Sequence, residues 1–297
     1  MKKISFIFLI GSLLSLTSCK EKFKYSFSKT NEYFLYENLK YGSSERNVLD
    51  LALPRSNAHK GLIFYIHGGG WISGDKGPYG NTLKNYAKKG YACAAINYRY
   101  AGTNGTTGFE ILDDIAGALN KVKSQAEEHN IELNSALLSG GSAGGHLSLL
   151  YAYACQNKST IKPTCVVSLS GPTDLIDPNF YNKNAANYQG QINMISKLTG
   201  KNITAENFAS QYKDVLMALS PNYYVNESTV PTVICHGTAD DLVPYSNAVS
   251  LDTLLTEKGV EHELVTFNDA GHGLEKDETA KARMDELFEE YVRRYLS

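Results

Sequence analysis

The sequence predicts an α/β protein: an open, mostly parallel sheet with helices on both faces. Three observations predict it. Short continuous apolar runs, such as Leu62–Ile66 and Tyr91–Asn97, have the character of strands covered on both sides. Segments of helical period lie between them, as in Ile111, Ile115, Leu119 and Val122. Several of the apolar runs stop at glycine-rich turns carrying polar residues, which belong at the strand ends where such sheets bind ligands.

Taken in order, residues 33–41 and 48–53 read as two paired strands, joined by a polar turn and closed by Pro54. Leu62–Ile66 is a central strand, residues 83–89 part of a helix ending at Gly90, and residues 91–97 another buried strand. A helix over residues 111–129 leads to the short run Ala136-Leu137-Leu138 and a second helix from about Ala143. A strand over 165–170 follows. After it, residues 172–231 interrupt the alternation and are expected to form a cap insertion, with a helix near 206–219. A strand at 233–235, a helix over 246–258, a strand over 264–267 and a C-terminal helix complete the chain.

The chain has 297 residues, 42% of them hydrophobic and 20% charged, with a formal net charge of −2. That composition suits one sizeable globular domain and argues against a nucleic-acid partner, which calls for a basic excess. It specifies no oligomeric state. Residues 1–18 have the layout of a signal peptide: Lys2-Lys3, then the mostly apolar stretch Ile4–Leu16. Its ending, Leu16-Thr17-Ser18-Cys19, resembles the bacterial lipobox. That resemblance implies cleavage before Cys19, acylation of that residue and an extracytoplasmic, membrane-anchored lipoprotein, with Lys20 leaning toward the outer membrane. Residues 19–32 then read as a polar tether, and residues 33–297 as the folded domain. Cys93, Cys155, Cys165 and Cys235 are expected to be small buried hydrophobes, and Cys155–Cys165 is the one disulfide worth considering. No cysteine or histidine spacing suggests a metal site.

The chemistry centres on Gly140-Gly141-Ser142-Ala143-Gly144-Gly145-His146. A G-x-S-x-G between a short strand and a helix places the serine on a strained turn with its hydroxyl above the sheet. The free amides and positive dipole end of the helix point to the same place. After Leu62–Ile66 comes His67-Gly68-Gly69-Gly70-Trp71, whose glycines let backbone N–H groups approach a substrate oxygen. Gly68 and Gly69, with Ala143 beside the serine, are the candidate oxyanion donors. His236-Gly237-Thr238-Ala239-Asp240-Asp241 ends the next strand but one from the nucleophile, and Gly271-His272-Gly273 follows the last. The candidate acid is Asp240, with Asp241 and Asp174 as alternatives, and His272 is the candidate base.

Together, His-Gly-Gly-Gly-Trp, Gly-Gly-Ser-Ala-Gly-Gly-His-Leu, His-Gly-x-x-Asp-x-x-Val-Pro and Gly-His-Gly resemble the α/β-hydrolase esterases over residues 33–297. The resemblance is nearest to the bacterial acetylxylan and feruloyl esterases. The hormone-sensitive-lipase branch fits less well: Gly141 stands where that branch has Asp, and Tyr98-Arg99 is followed by Tyr100-Ala101-Gly102. The resemblance implies the α/β-hydrolase fold, with Ser142 as nucleophile, Asp240 as acid and His272 as base. It implies a serine ester hydrolase that acts through an acyl-enzyme on small-molecule or oligosaccharide esters, acetyl or feruloyl, without metal or cofactor. A general short-chain carboxylesterase or small-amide hydrolase is the rival enzyme. An inactive glycan-binding lipoprotein is the non-enzymatic rival.

Overall fold

A computed structural model describes residues 25–55 and 60–296. The signal peptide, Cys19 and the tether as far as residue 24 therefore lie outside the described residues. The strands are β1 (Ser26–Lys29), β2 (Tyr33–Lys40), β3 (Val48–Pro54), β4 (Lys60–Ile66), β5 (Tyr91–Asn97), β6 (Ser135–Gly141), β7 (Lys162–Leu169), β8 (Thr232–Gly237) and β9 (His262–Phe267). They form one sheet in the order β1-β2-β3-β5-β4-β6-β7-β8-β9. The three opening strands and the β3–β5 pair are antiparallel, and every pairing from β5 to β9 is parallel.

The helices are α1 (Gly80–Lys88), α2 (Gly108–Glu127), α3 (Ala143–Ala154), α4 (Tyr188–Thr199), α5 (Lys213–Ala218), α6 (Ser246–Glu257) and α7 (Glu278–Tyr295). They cover both faces, which explains the continuous apolar strands. Leu62, Phe64 and Ile66 of β4 pack into the core shared with α2, α3, α6 and the insertion, while Ile63 and Tyr65 pack toward α1 and α7. Residues two apart share a face, so both parities must be apolar when both faces are covered. Helix α2 is fixed at its start by a capping box: Thr107 and Glu110 exchange hydrogen bonds with each other's backbone.

Two expectations need correction. The tether expected over 19–32 gives residues 26–29 to the sheet: Phe27 lies opposite Tyr36 and stacks on Phe34, enough to hold a short exposed edge strand. The helix expected near 206–219 is reduced to the six residues of α5, because residues 204–212 close turns on themselves. Asn207 accepts the Thr204 amide through its side chain and donates to Asn202 O. The insertion's longer helix is α4, whose Ile192, Ile195 and Leu198 form its buried stripe. The four cysteines are buried as expected, and the pair considered for a disulfide, Cys155 and Cys165, is free, like Cys93 and Cys235. Burial pushes their thiols up from the ordinary range, so the set behaves as packing.

Candidate active site

Strand β6 delivers Ser142 to a turn that ordinary backbone avoids. Ser142 has φ 54 and ψ −123, its amide donates to Leu169 O at 2.7 Å, and α3 begins at the next residue. The close approach of Gly144 makes the turn possible: a Cβ there would sit 2.0 Å from the carbonyl oxygen of Ile66. Such a conformation costs on the order of 1–3 kcal/mol and persists only where the surroundings over-determine it. Here the surroundings are strands β4 and β7 on either side.

The candidate acid and base meet at the ends of β8 and β9. His272 Nδ1 donates to Asp240 Oδ2 at 2.8 Å. A carboxylate can only accept, so the Nδ1 proton belongs to His272 and its Nε2 is left as the basic nitrogen. Asp240 Oδ1 accepts the backbone amides of Leu242 and Val243, both at 2.9 Å. Burial drives the Asp240 carboxyl up, but hydrogen bonds from His236, His272 and the Val243 amide outweigh it and hold the group well below the usual carboxylate range. Asp241 instead is exposed and accepts from the Asn187 side chain, and Asp174 accepts the Ile176 amide.

His236 is a partner that sequence reasoning treated only as motif backbone. Its Nε2 lies 2.9 Å from Val243 O and 3.2 Å from Asp240 Oδ2, so that nitrogen carries the proton and Asp240 has a second imidazole donor. The i,i+4 spacing of His236 and Asp240 around the turn was the available signal.

The loop after β4 is bent through three successive left-handed residues, Gly69 (φ 111), Gly70 (φ 58) and Trp71 (φ 63). Trp71 is no glycine, and specific bonds hold it there: its Nε1 donates to His146 Nδ1 at 3.1 Å and its carbonyl accepts the Ala101 amide. His146 Nε2 in turn donates to Leu219 O at 2.7 Å. The fully buried ring of His146 thus ties this loop to helix α3 and the insertion, and burial lowers its pKa to about 4, keeping it neutral. His67 is fixed from outside. Arg46 donates to its Nε2 at 3.1 Å and to Gly74 O, and its guanidinium stacks 3.7 Å from the Tyr100 ring.

These elements enclose a cavity of about 270 Å³. Ser142, Ala143, His272, Gly69 and Gly70 line one side of it. Trp71, Leu242 and Val243 wall it, and Pro172, Phe180, Gln191, Met194 and Ile195 close it from the insertion. Residues of the insertion thus line one side of the cavity that Ser142 opens into. Ser142 and His272 share the cavity, and no direct hydrogen bond joins their side chains. Of the candidate oxyanion donors, Gly69 and Ala143 line the cavity. Gly68 sits behind them, its Cα packed toward Gly141 O. Gln191 was not singled out in the sequence. Its Nε2 donates to Leu242 O at 2.8 Å and Asp241 O at 3.3 Å, so α4 grips the loop that carries Asp240. Among the described residues no cluster could hold a metal ion.

A mostly parallel sheet in this strand order, with a serine on a left-handed strand-to-helix turn, is an α/β-hydrolase. More narrowly, the chain belongs to the BD-FAE family, whose model matches residues 49–255. It is 28% identical over 196 residues to the probable carboxylic ester hydrolase LipM of Mycobacterium tuberculosis, covering 63% of this chain and 43% of that protein. It is 24% identical to isoprenylcysteine alpha-carbonyl methylesterase ICME of Arabidopsis thaliana, covering 91% of this chain and 63% of that one. The chain thus spans less than two thirds of either relative. In structure it is similar to a truncated carbohydrate esterase from gut microbiota, with TM-score 0.67 and 22% identity over 91% of this chain and 100% of that one. Thermogutta terrifontis esterase 2 gives TM-score 0.65 and 20% identity over 89% of this chain and 95% of that one. These likenesses share the fold.

Proposed function

We propose that this chain is a serine carboxylic ester hydrolase with Ser142, His272 and Asp240 as its catalytic triad. One observation carries the reading: Ser142, on its strained turn, shares a cavity with a histidine whose Nδ1 is held by a buried carboxylate. Ser142 Oγ attacks the ester carbonyl as His272 Nε2 takes its proton. The amides of Ala143 and Gly69, with Gly68 behind them, supply hydrogen bonds for the oxyanion. The C–O bond to the alcohol breaks, and the alcohol leaves with the proton from His272. Water, deprotonated by the same nitrogen, then attacks the acyl-enzyme and regenerates the serine.

The substrate class we favour is a carbohydrate ester, acetyl or feruloyl. Support comes from the motifs of the site and from the gut carbohydrate esterase that shares the fold. A general short-chain carboxylesterase is the second reading, favoured by the names of the mycobacterial and plant relatives. Release of acetate from acetylated xylan, compared with hydrolysis of 4-nitrophenyl acetate, separates the two. Ser142→Ala is expected to remove all hydrolysis of 4-nitrophenyl acetate and all labelling by a fluorophosphonate probe while leaving the far-UV circular dichroism unchanged. Residual turnover within tenfold of wild type would overturn the mechanism.

We also propose that the mature protein is a lipoprotein outside the cytoplasm, anchored through acylated Cys19. Cys19→Ser should stop incorporation of labelled palmitate and move the protein from the membrane fraction to the soluble one.

A further inference from the structure

Far from the serine, the edge of the sheet carries a second surface. Strand β1 is outermost and, among the described residues, pairs with β2 alone. Large apolar groups stand open there: Tyr25 is 51% exposed and Phe27 49%. Both rings sit against Tyr36, with centroids 6.1 and 4.8 Å away, and Phe27 also stacks on half-buried Phe34 at 6.4 Å. Two cations frame the rings. Lys29 Nζ lies 5.7 Å from the centre of the Phe34 ring, and the Arg55 guanidinium 5.4 Å from it. Of the acids beside them, Glu37 accepts from Ser26 Oγ and Glu32 lies 3.8 Å from Lys88 Nζ. Exposed aromatic rings rimmed by Lys and Arg suit the head-group layer of a membrane, where the rings bury carbon and the cations meet phosphates.

What covers this face follows from the chain that leads to it, if the lipoprotein reading holds. Tyr25 is only six residues beyond Cys19, and six residues reach at most about 22 Å. An acylated Cys19 therefore keeps the start of β1 close to the bilayer. The stretch between, Lys20-Glu21-Lys22-Phe23-Lys24, has three lysines against one glutamate and continues the same mixture of aromatic and cation. Each lysine near an anionic lipid surface adds to binding, whereas lysines beside an open edge oppose pairing with the strand of a second copy. Resting on the lipoprotein reading, we propose that Tyr25, Phe27, Lys29 and Arg55 form a docking surface for a phospholipid bilayer. The acyl anchor and β1 then hold the domain by one edge of its sheet. Ser142 follows β6, five strand positions from β1, roughly 24 Å away at about 4.8 Å per strand. The catalytic cavity thus stands clear of the lipid.

The test uses the acylated full-length protein, reconstituted into vesicles of phosphatidylcholine and phosphatidylglycerol. The chain has one tryptophan, Trp71, which lines the cavity. Bromine on a lipid quenches an indole only at near contact. In Phe27→Trp, lipids brominated near the head group should remove most of the emission that the new indole adds. Wild-type emission, from Trp71 alone, should not change. The emission added by Tyr223→Trp should not change either. That position is similarly exposed, at 44%, and follows Asn222, whose amide donates to Thr173 O beyond the end of β7. It also shows whether an indole by itself draws a face to lipid. Both variants should hydrolyse 4-nitrophenyl acetate at the wild-type rate, which checks their fold. Should Phe27→Trp fail to fold, Tyr25→Trp places the reporter against the same Tyr36 ring. An indole at position 27 that is not quenched in protein floating with the vesicles overturns the proposal, and a second copy covering β1 would give that result. Equal quenching at positions 27 and 223 overturns it as well. Protein that does not float with the vesicles, or takes up no labelled palmitate, defeats the anchor reading itself, and this inference with it.

Discussion

Asp240 shows how one side chain is over-determined by its neighbours. Four hydrogen bonds converge on its two oxygens, two from backbone amides and two from imidazoles. Asn at this position would present an N–H₂ where acceptors are needed. It would turn His272 to the other tautomer, with Nδ1 bare and Nε2 protonated and unable to act as base. Asp240→Asn is therefore expected to lower kcat for 4-nitrophenyl acetate by about 10⁴-fold, the scale of such a tautomer change in serine proteases. KM should change little, since the carboxylate does not touch substrate. Steady-state kinetics with active-site titration checks this, and a loss below tenfold would remove Asp240 from the triad. His236 belongs to the same argument. Its side chain is fully buried beside Asp240, and its second nitrogen has no partner, so its place is explained by the carboxylate and Val243 O.

At the scale of elements, the strand-to-helix turn rests on the contact between Gly144 and the end of β4. A methyl group there meets backbone, Ile66 O at 2.0 Å, which no rotamer change relieves. Gly144→Ala should destabilise the protein by about 3 kcal/mol or more, as overpacking against fixed backbone does. Gly80→Ala is the control, since nothing lies within 4 Å of its Cβ position at the start of α1. It should be neutral or stabilising by up to about 1 kcal/mol. Urea unfolding of the two variants measures the contrast, and equal stabilities would refute it. Most of these elements were legible in the sequence for one physical reason. Buried strands and amphipathic helices write their surroundings into residue spacing, as Leu62–Ile66 and Ile111–Val122 do. The insertion wrote less. Helix α4 carries Ile192, Ile195 and Leu198 at helical spacing, but Gly190 and the polar residues between obscured them, and residues 204–212 are turns closed by side chains rather than a helix. At the site, the meeting of Ser142, Asp240 and His272 could be expected from the sequence because chemistry restricts such motifs. Gln191 and the second role of His236 could not, because they depend on which loops meet in space.

Over the whole molecule, the residues that tie the site to the fold are neutral buried histidines, and this sets how the protein responds to acid. Burial lowers the pKa of His146 to about 4, against a hydrogen bond to Leu219 O that pulls the other way. Burial likewise lowers that of His67 to about 4, with the Gly68 carbonyl opposing and the Arg46 charge assisting. In the unfolded chain both return to the ordinary value near 6.5. Between about pH 6.5 and 4 the unfolded state therefore binds protons that the folded state refuses, and stability falls as pH falls. A shift of this size corresponds to roughly 3 kcal/mol for each histidine across the window. Asp240 acts lower down. Its carboxyl is depressed when folded, so its contribution is intact above the ordinary carboxylate range and is lost only as pH drops below it. Acid should therefore weaken the protein in two stages, histidines first. His146 also links stability to the site, because a proton on Nδ1 would face the Trp71 N–H that now donates to it. His146→Phe should be less stable than wild type at pH 7, with Trp71 Nε1 and Leu219 O left unpaired. It should also lose less on going from pH 7 to pH 4.5, since one titrating group has gone. Urea unfolding of both proteins at the two pH values measures this, and identical losses would show that His146 is already protonated in the folded state at pH 4.5 or accessible to water.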